Sequence, residues 1–150
     1  ARTASLRERT DVFLDIAAAE GIEASVTETG PTSYASGFEA ARQLFGRSNG
    51  PDGVFCVTDL LALGFMDAAR HEFGLRIPED LCIVGFDDIE QASWDSYKLT
   101  TFAQPLADMA EHVVHLLLHP EAVGTERRLY APAPRWRRSV RPAPADHPSA

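Results

Sequence analysis

The run Ile83-Val-Gly-Phe-Asp-Asp88 constrains this chain more than any other stretch. Apolar residues that end abruptly in two carboxylates read as a buried parallel strand, which delivers Asp87 and Asp88 to its carboxyl end. The run Gly53-Val-Phe-Cys-Val-Thr58, followed by Asp59, repeats the arrangement. Strands of this kind need helices above and below them, and the intervening segments supply helical patterns. The expected fold is therefore α/β, a doubly wound and mostly parallel sheet. Ligands of such sheets bind at the carboxyl rim of the strands, so the acidic tips mark the candidate site.

In chain order, Ser5-Leu-Arg-Glu8 is a capping-box pattern with Ser5 as N-cap. The helix it opens extends to about Glu20, carries Leu6, Phe13, Ile16 and Ala17 on one face, and ends at Gly21. Residues 22–28 alternate like a half-buried strand. A second helix starts at Tyr34 after the Ser33 loop, with Phe38, Ala41, Leu44 and Phe45 as its apolar stripe. A third starts at Thr58 or Asp59 and closes at Gly74. Strands are expected at 53–57, 81–86 and 99–103. Pro105 opens a fourth helix, to about His119. Residues 127–130 and 136–140 read as short extended segments split by Pro132 and Pro134, and the proline-rich end as a disordered tail. The chain starts directly on a helix with no strand before it, which reads as a piece of something longer.

At 150 residues there is room for one domain with a core. A net charge of −8 gives no overall attraction to nucleic acid or to an anionic membrane. Apolar runs are far shorter than the roughly 20 residues of a membrane span. Cys56 and Cys82 fall inside predicted strands and read as reduced, buried thiols, which suits a cytoplasmic protein.

Three stretches, Pro51-Asp-Gly-Val-Phe-Cys-Val-Thr-Asp-Leu-Leu-Ala-Leu-Gly64, Arg76-Ile-Pro-Glu-Asp-Leu-Cys-Ile-Val-Gly-Phe-Asp-Asp-Ile89 and Leu99-Thr-Thr-Phe-Ala-Gln-Pro105, come in an order and spacing that resemble the effector-binding region of the lac repressor/Gal repressor (LacI/GalR) family of bacterial transcription regulators. The resemblance covers about Ser5 to Val140. It implies a periplasmic-binding-protein-like core of two subdomains with a sugar-like effector between them. Residues 1–104 then form most of the carboxy-terminal subdomain, 105–120 the helix crossing to the other subdomain, 121–141 the returning extended segments and 142–150 the tail. It further implies a homodimer, with Leu60 and Leu63 of the third helix at its interface, and DNA binding only through an amino-terminal helix-turn-helix domain absent from this chain.

Residue by residue, Arg9, four before Phe13, matches the arginine that grips effector hydroxyls or carboxylate, and Ser5 the serine four before it. The family's Asn-Asp appears here as Thr58-Asp59, a hydroxyl in place of an amide. Asp87 matches the ligand-binding carboxylate and Gln104 a polar residue at the hinge. Trp94 or Tyr34 is left to offer a stacking face, since Thr32 stands where an aromatic is common. Carboxylates, planar donors and an aromatic face are the groups that hold a sugar. From the residues alone, other roles stay open. Arg9 could pair with an acid on its own helix, Asp87 and Asp88 could cap the following turn, and Trp94 could be a core or dimer contact.

Rival chemistries fit less well. A Mg²⁺-dependent receiver-like site needs a lysine on a later strand, whereas Lys98 stands in a loop; a hydrolase lacks its Gly-x-Ser-x-Gly elbow. On the fourth helix Asp108, His112, His115 and His119 share one side opposite Leu106, Met109, Val113 and Leu117, and read as a solvated face, not a metal site. No metal, cofactor or catalytic residue is assigned. A periplasmic sugar-binding protein of a transporter is the alternative of similar fold. The acidic charge predicts that this chain by itself shows no salt-sensitive binding to duplex DNA at about micromolar concentration, which fluorescence anisotropy at two salt concentrations checks.

Overall fold

The computed structural model describes residues 3–46, 50–124 and 128–142. Helices are α1 (Ala4–Ala19), α2 (Tyr34–Phe45), α3 (Asp59–His71) and α4 (Leu106–Leu118), and strands are β1 (Gly53–Phe55), β2 (Cys82–Val84), β3 (Thr101–Ala103) and β4 (Ala133–Arg135). β1 and β2 pair in parallel, with Gly53 opposite Cys82 and Phe55 opposite Val84. β4 runs antiparallel to β3. Parallel bridges from Val84 to Thr100 and from Asp87 to Ala103 join the two pairs. The sheet is thus mixed, ordered β1-β2-β3-β4, and mostly parallel.

Local chemistry accounts for the helix ends. The Ser33 hydroxyl caps α2 by accepting the Ser36 N–H at 3.1 Å. Gly74 closes the α3 turn at φ +64 while Leu75 N–H returns to the Ala69 carbonyl, a conformation glycine adopts without a Cβ penalty. The expected Ser5 cap is corrected. α1 begins at Ala4 with Thr3 as N-cap; among the described residues no side chain caps it, and the Ser5 hydroxyl meets that of Thr3 at 3.2 Å.

Three further expectations differ from the structure. Residues 22–28 form no strand, and Ile22 and Val26 are exposed. Their alternation suits a pleated ribbon, but a strand exists only when another segment satisfies its backbone, and no described segment does so here. Pro134 does not split an extended segment; it sits in β4 opposite Phe102, a position open to proline on an edge strand. Residues 136–140 are irregular. They are fastened by Arg138 N–H to the Lys98 carbonyl, and by buried Ser139, whose hydroxyl donates to the Ile83 carbonyl at 2.5 Å and accepts the Thr100 N–H at 2.8 Å. Arg127 and the tail beyond residue 142 lie outside the described residues.

The core gathers Leu63, Phe65, Met66, Ala68 and Ala69 of α3 with Ala41, Leu81, Ile83 and Leu99. α3 is apolar over a wide arc because α2 covers it on one side and the sheet's residues on another. Leu63 is a core residue, only 3% exposed, which differs from the expectation that it stands with Leu60 on an outer face, while Leu60 is 41% exposed. α2 and α3 approach so closely that a Cβ on Gly37 would enter the Leu61 backbone, and one on Gly64 the Tyr34 backbone. Asp67 locks the crossing by accepting the hydroxyls of Tyr34 at 2.7 Å and Tyr97 at 2.8 Å. α4 contrasts with this: it buries no residue, and Leu106, Val113, Leu117 and Leu118 are exposed. Asp108, His115 and His119 are exposed, as expected of a solvated face, while His112 is half-buried with its ring 6.1 Å from that of Tyr130.

Gly64→Ala is expected to lower unfolding free energy by about 1–3 kcal/mol despite alanine's better helix propensity, because backbone must move to admit the methyl. A urea midpoint that rises instead would mean the two helices are free to part.

Candidate functional site

The site forms where β2 ends and the chain turns. The Asp87 N–H donates to the Phe102 carbonyl at 3.0 Å, which holds the strand tip against β3. Asp87 and Asp88 then adopt φ +124 and +55. Two consecutive non-glycine residues with positive φ cost on the order of 1–3 kcal/mol each, and such strain persists only where surrounding contacts over-determine it.

Those contacts are present. The Gln104 Nε2 amide donates to Asp87 Oδ1 at 2.8 Å. Arg9 Nη1 lies 3.7 Å from the same oxygen, with both side chains partly exposed. Arg9 arrives from the second turn of α1, and its geometry is fixed twice more: Nη1 donates to the Val57 carbonyl at 2.8 Å, and the guanidinium lies over the Phe86 ring at 3.7 Å. Phe86 stacks in turn on Phe102 with centroids 6.0 Å apart. A guanidinium held by an aromatic face and a carbonyl loses little freedom when it meets a ligand, and keeps further N–H donors for it.

Asp88 serves a different purpose from Asp87. Its Oδ1 accepts Arg137 Nη2 at 2.6 Å, and Arg135 Nε lies 3.4 Å from Oδ2. Arg137 also donates to the Leu99 carbonyl at 2.8 Å. The pair ties the segment after β4 to the turn.

Of the residues singled out from sequence, Arg9, Asp87 and Gln104 come together. Thr58 is beside them in the chain, next to the Val57 carbonyl that Arg9 holds. It is the N-cap of α3 but makes no capping bond, and its hydroxyl, buried, has no hydrogen-bond partner among the described residues. Asp59 is fully buried, with both oxygens occupied by Thr101 and Ile89; it is an internal group, not an open contact. Burial, the largest influence, raises its carboxyl above the usual range, and the hydrogen bonds from Thr101 and Ile89 oppose the rise. Ser5 lies one helical turn before Arg9 with its hydroxyl on Thr3, and Trp94 is 49% exposed with its backbone N–H bonded to the Gln91 carbonyl; neither side chain has a hydrogen bond to Arg9, Asp87 or Gln104 among the described residues. Tyr34 is engaged at the α2–α3 crossing. Sequence reasoning missed Phe86 as a guanidinium platform, though it stands inside the quoted motif, and missed Arg137, which no spacing signals. Elsewhere, a depression of about 670 Å³ between residues 26–28 and α2, lined by Glu39, Arg42 and Gln43 among others, contains none of these residues. Burial pushes the Cys56 thiol up to about 12, so it is a packed apolar group and a poor nucleophile.

Residues 1–140 match the periplasmic binding protein-like domain. The chain belongs to that family. Within it the relatives are those of the LacI/GalR regulators, whose effector-binding domain this is. The HTH-type transcriptional repressor CytR of Escherichia coli is 37% identical over 103 residues, which cover 67% of this chain and 30% of that protein. The repressor PurR of Salmonella paratyphi B is 37% identical over 83 residues, 55% of this chain and 24% of that protein. Among solved structures, the transcriptional repressor ascG of Escherichia coli superposes with a TM-score of 0.75 at 26% identity, covering 89% of this chain and 49% of that one. A LacI family regulator of Lactobacillus casei with bound glucose does so at 0.71 and 26%, covering 89% and 50%. The chain thus spans less than a third of the curated repressors and about half of those solved chains. These relatives are transcriptional repressors, not enzymes. Among the described residues no helix is long and apolar enough to cross a membrane.

The raised Asp59 carboxyl carries a signed pH dependence. Between the ordinary carboxylate value and the raised one the folded state binds a proton that the unfolded state has released, so stability falls as pH rises through that window, by at most about 1.4 kcal/mol per pH unit. Asp59→Asn removes this slope. Denaturant unfolding of both proteins across pH 4–7 checks it; parallel curves would count against the burial effect.

Proposed function

We propose that this chain is the part of a bacterial transcription regulator that senses a small hydroxylated effector, with a sugar as the leading class, and that Arg9, Asp87 and Gln104 hold it. One observation carries the reading: a cation, an anion and an amide from α1, β2 and the end of β3 meet at one oxygen while remaining partly exposed. Asp87 keeps a second acceptor oxygen, Arg9 keeps donors, and the amide of Gln104 has both functions, which is the complement of adjacent sugar hydroxyls. The unpartnered Thr58 hydroxyl adds a donor and acceptor beside Val57. Glucose and sucrose bound to LacI family relatives support the ligand class.

The effector lies between two subdomains, of which residues 1–104 supply one face. α4 crosses to the second subdomain, and residues 121–141 return. The outward apolar face of α4, which nothing described covers, supports this division. Effector occupancy changes DNA binding by a helix-turn-helix domain elsewhere in the cytoplasmic full-length protein. That protein is a homodimer, with Leu60 available for contact.

Titration of the full-length protein with glucose and sucrose by calorimetry tests the site. Asp87→Asn and Arg9→Ala each remove a charged hydrogen-bonding group and are expected to weaken binding by about 2–3 kcal/mol, roughly 30- to 150-fold. Thermal midpoints without ligand should move little, because both groups are partly solvated. Unchanged affinity in both variants would rule out this site.

A further inference from the structure

Asp59 is 0% exposed, yet it carries a carboxyl group. A group of that kind stays in a core only when its oxygens are occupied. Its Oδ1 accepts the Thr101 hydroxyl at 2.5 Å and its Oδ2 the Ile89 N–H at 3.0 Å. The Asp88 N–H also lies close enough to favour its ionised form. Both N–H groups belong to the turn whose first residues, Asp87 and Asp88, have positive φ. Asp59 itself starts α3, where the helix dipole favours an acidic group, and its own N–H donates to the Phe86 carbonyl at 2.8 Å. The carboxyl thus grips residue 89 while the same residue's backbone grips 86, on either side of Asp87.

A second observation points the same way. Gly85 does not have a positive φ, so conformation does not require glycine there. A Cβ at Gly85 would instead collide with Asp59 Oδ1 and crowd the Leu99 side chain. The glycine of the Gly-Phe-Asp-Asp run leaves room for the Asp59 carboxyl to reach the turn.

We infer that Asp59 is a positioning residue for the effector site. It holds the 86–89 turn from beneath, so that Asp87 points its carboxylate at Gln104 and Arg9, and Gly85 is bare in order to admit it. Arg137 braces the outer side of the same turn through Asp88. The consequence for ligand affinity rests on the reading of Arg9, Asp87 and Gln104 as the effector site; the consequence for the turn does not.

The test uses the full-length protein with Asp59→Asn and, separately, Gly85→Ala, which keeps every charge and displaces the carboxyl. Amide hydrogen exchange without ligand is expected to rise about tenfold or more for residues 86–89, with helix α3 from Ala62 to Ala69 unchanged. Glucose affinity, measured by calorimetry, should weaken about tenfold or more in both variants. A turn that stays protected in both variants overturns the inference, whatever the ligand. So does exchange that rises equally in α2, α3 and the turn, since Asp59 would then be a general core contact. Selective loosening of the turn in a protein whose wild type takes neither glucose nor sucrose supports the positioning role and defeats the sugar reading. If Asp59→Asn does not fold, Thr101→Val removes one of the donors and should loosen the same turn to a smaller degree; no change would overturn the inference.

Discussion

The buried carboxyl of Asp59 is the interaction on which the candidate site depends. Its carboxyl reaches the turn after β2 from the core, where Ile89 also packs. An amide in its place would offer one acceptor oxygen where the carboxyl offers two, and an apolar residue would leave the donors unsatisfied in a low-dielectric interior. The helix start, the strand end and the β3 hydroxyl of Thr101 therefore converge on one side chain. A strained pair of residues survives at the rim because three elements bind its neighbours at once.

Around that point the structure divides into a tightly built and an open part. α2 and α3 cross at glycine contact distance and enclose the apolar core, with Asp67 joining them to the loop that carries Tyr97. α1 touches the sheet through Phe13 stacked on Phe55 at 5.2 Å and through Arg9, and leaves Val12 and Ile16 exposed. α4 leaves a whole apolar face exposed. α1 and α4 thus keep apolar residues for which the described residues offer no cover.

The two aspartates of the Gly-Phe-Asp-Asp run illustrate how one motif serves two ends. Asp87 faces a partly exposed amide and guanidinium, whereas Asp88 closes an ion pair with Arg137. The chain turns at both positions with positive φ, and Asp87 meets groups from α1 and the end of β3, whereas Asp88 meets arginines of β4 and just after it. That backbone geometry also places the rim in contact with the returning segment, so a ligand drawing on Asp87 acts on a turn that Arg137 also holds.

Much of this was legible in the sequence. Apolar runs with polar tips marked β1, β2 and the β3 segment, helical stripes marked α1 to α4, and Ser33, Gly21 and Gly74 marked ends, because these signals depend on neighbours within a few residues. Arg9, Asp87 and Gln104 were legible as a set only through the order and spacing of the motifs. What sequence did not determine is non-local. Whether residues 22–28 form a strand depends on a partner for their backbone, and whether Leu63 is exposed or enclosed depends on which distant elements pack on its side of α3. Asp59 has the residue type of a ligand contact, and only tertiary packing, which put Thr101 and the Ile89 N–H around it and left Gly85 bare, made it an internal anchor. Composition and spacing decide which groups stand at a rim; burial and the donors brought from distant positions decide which of them remain free to bind.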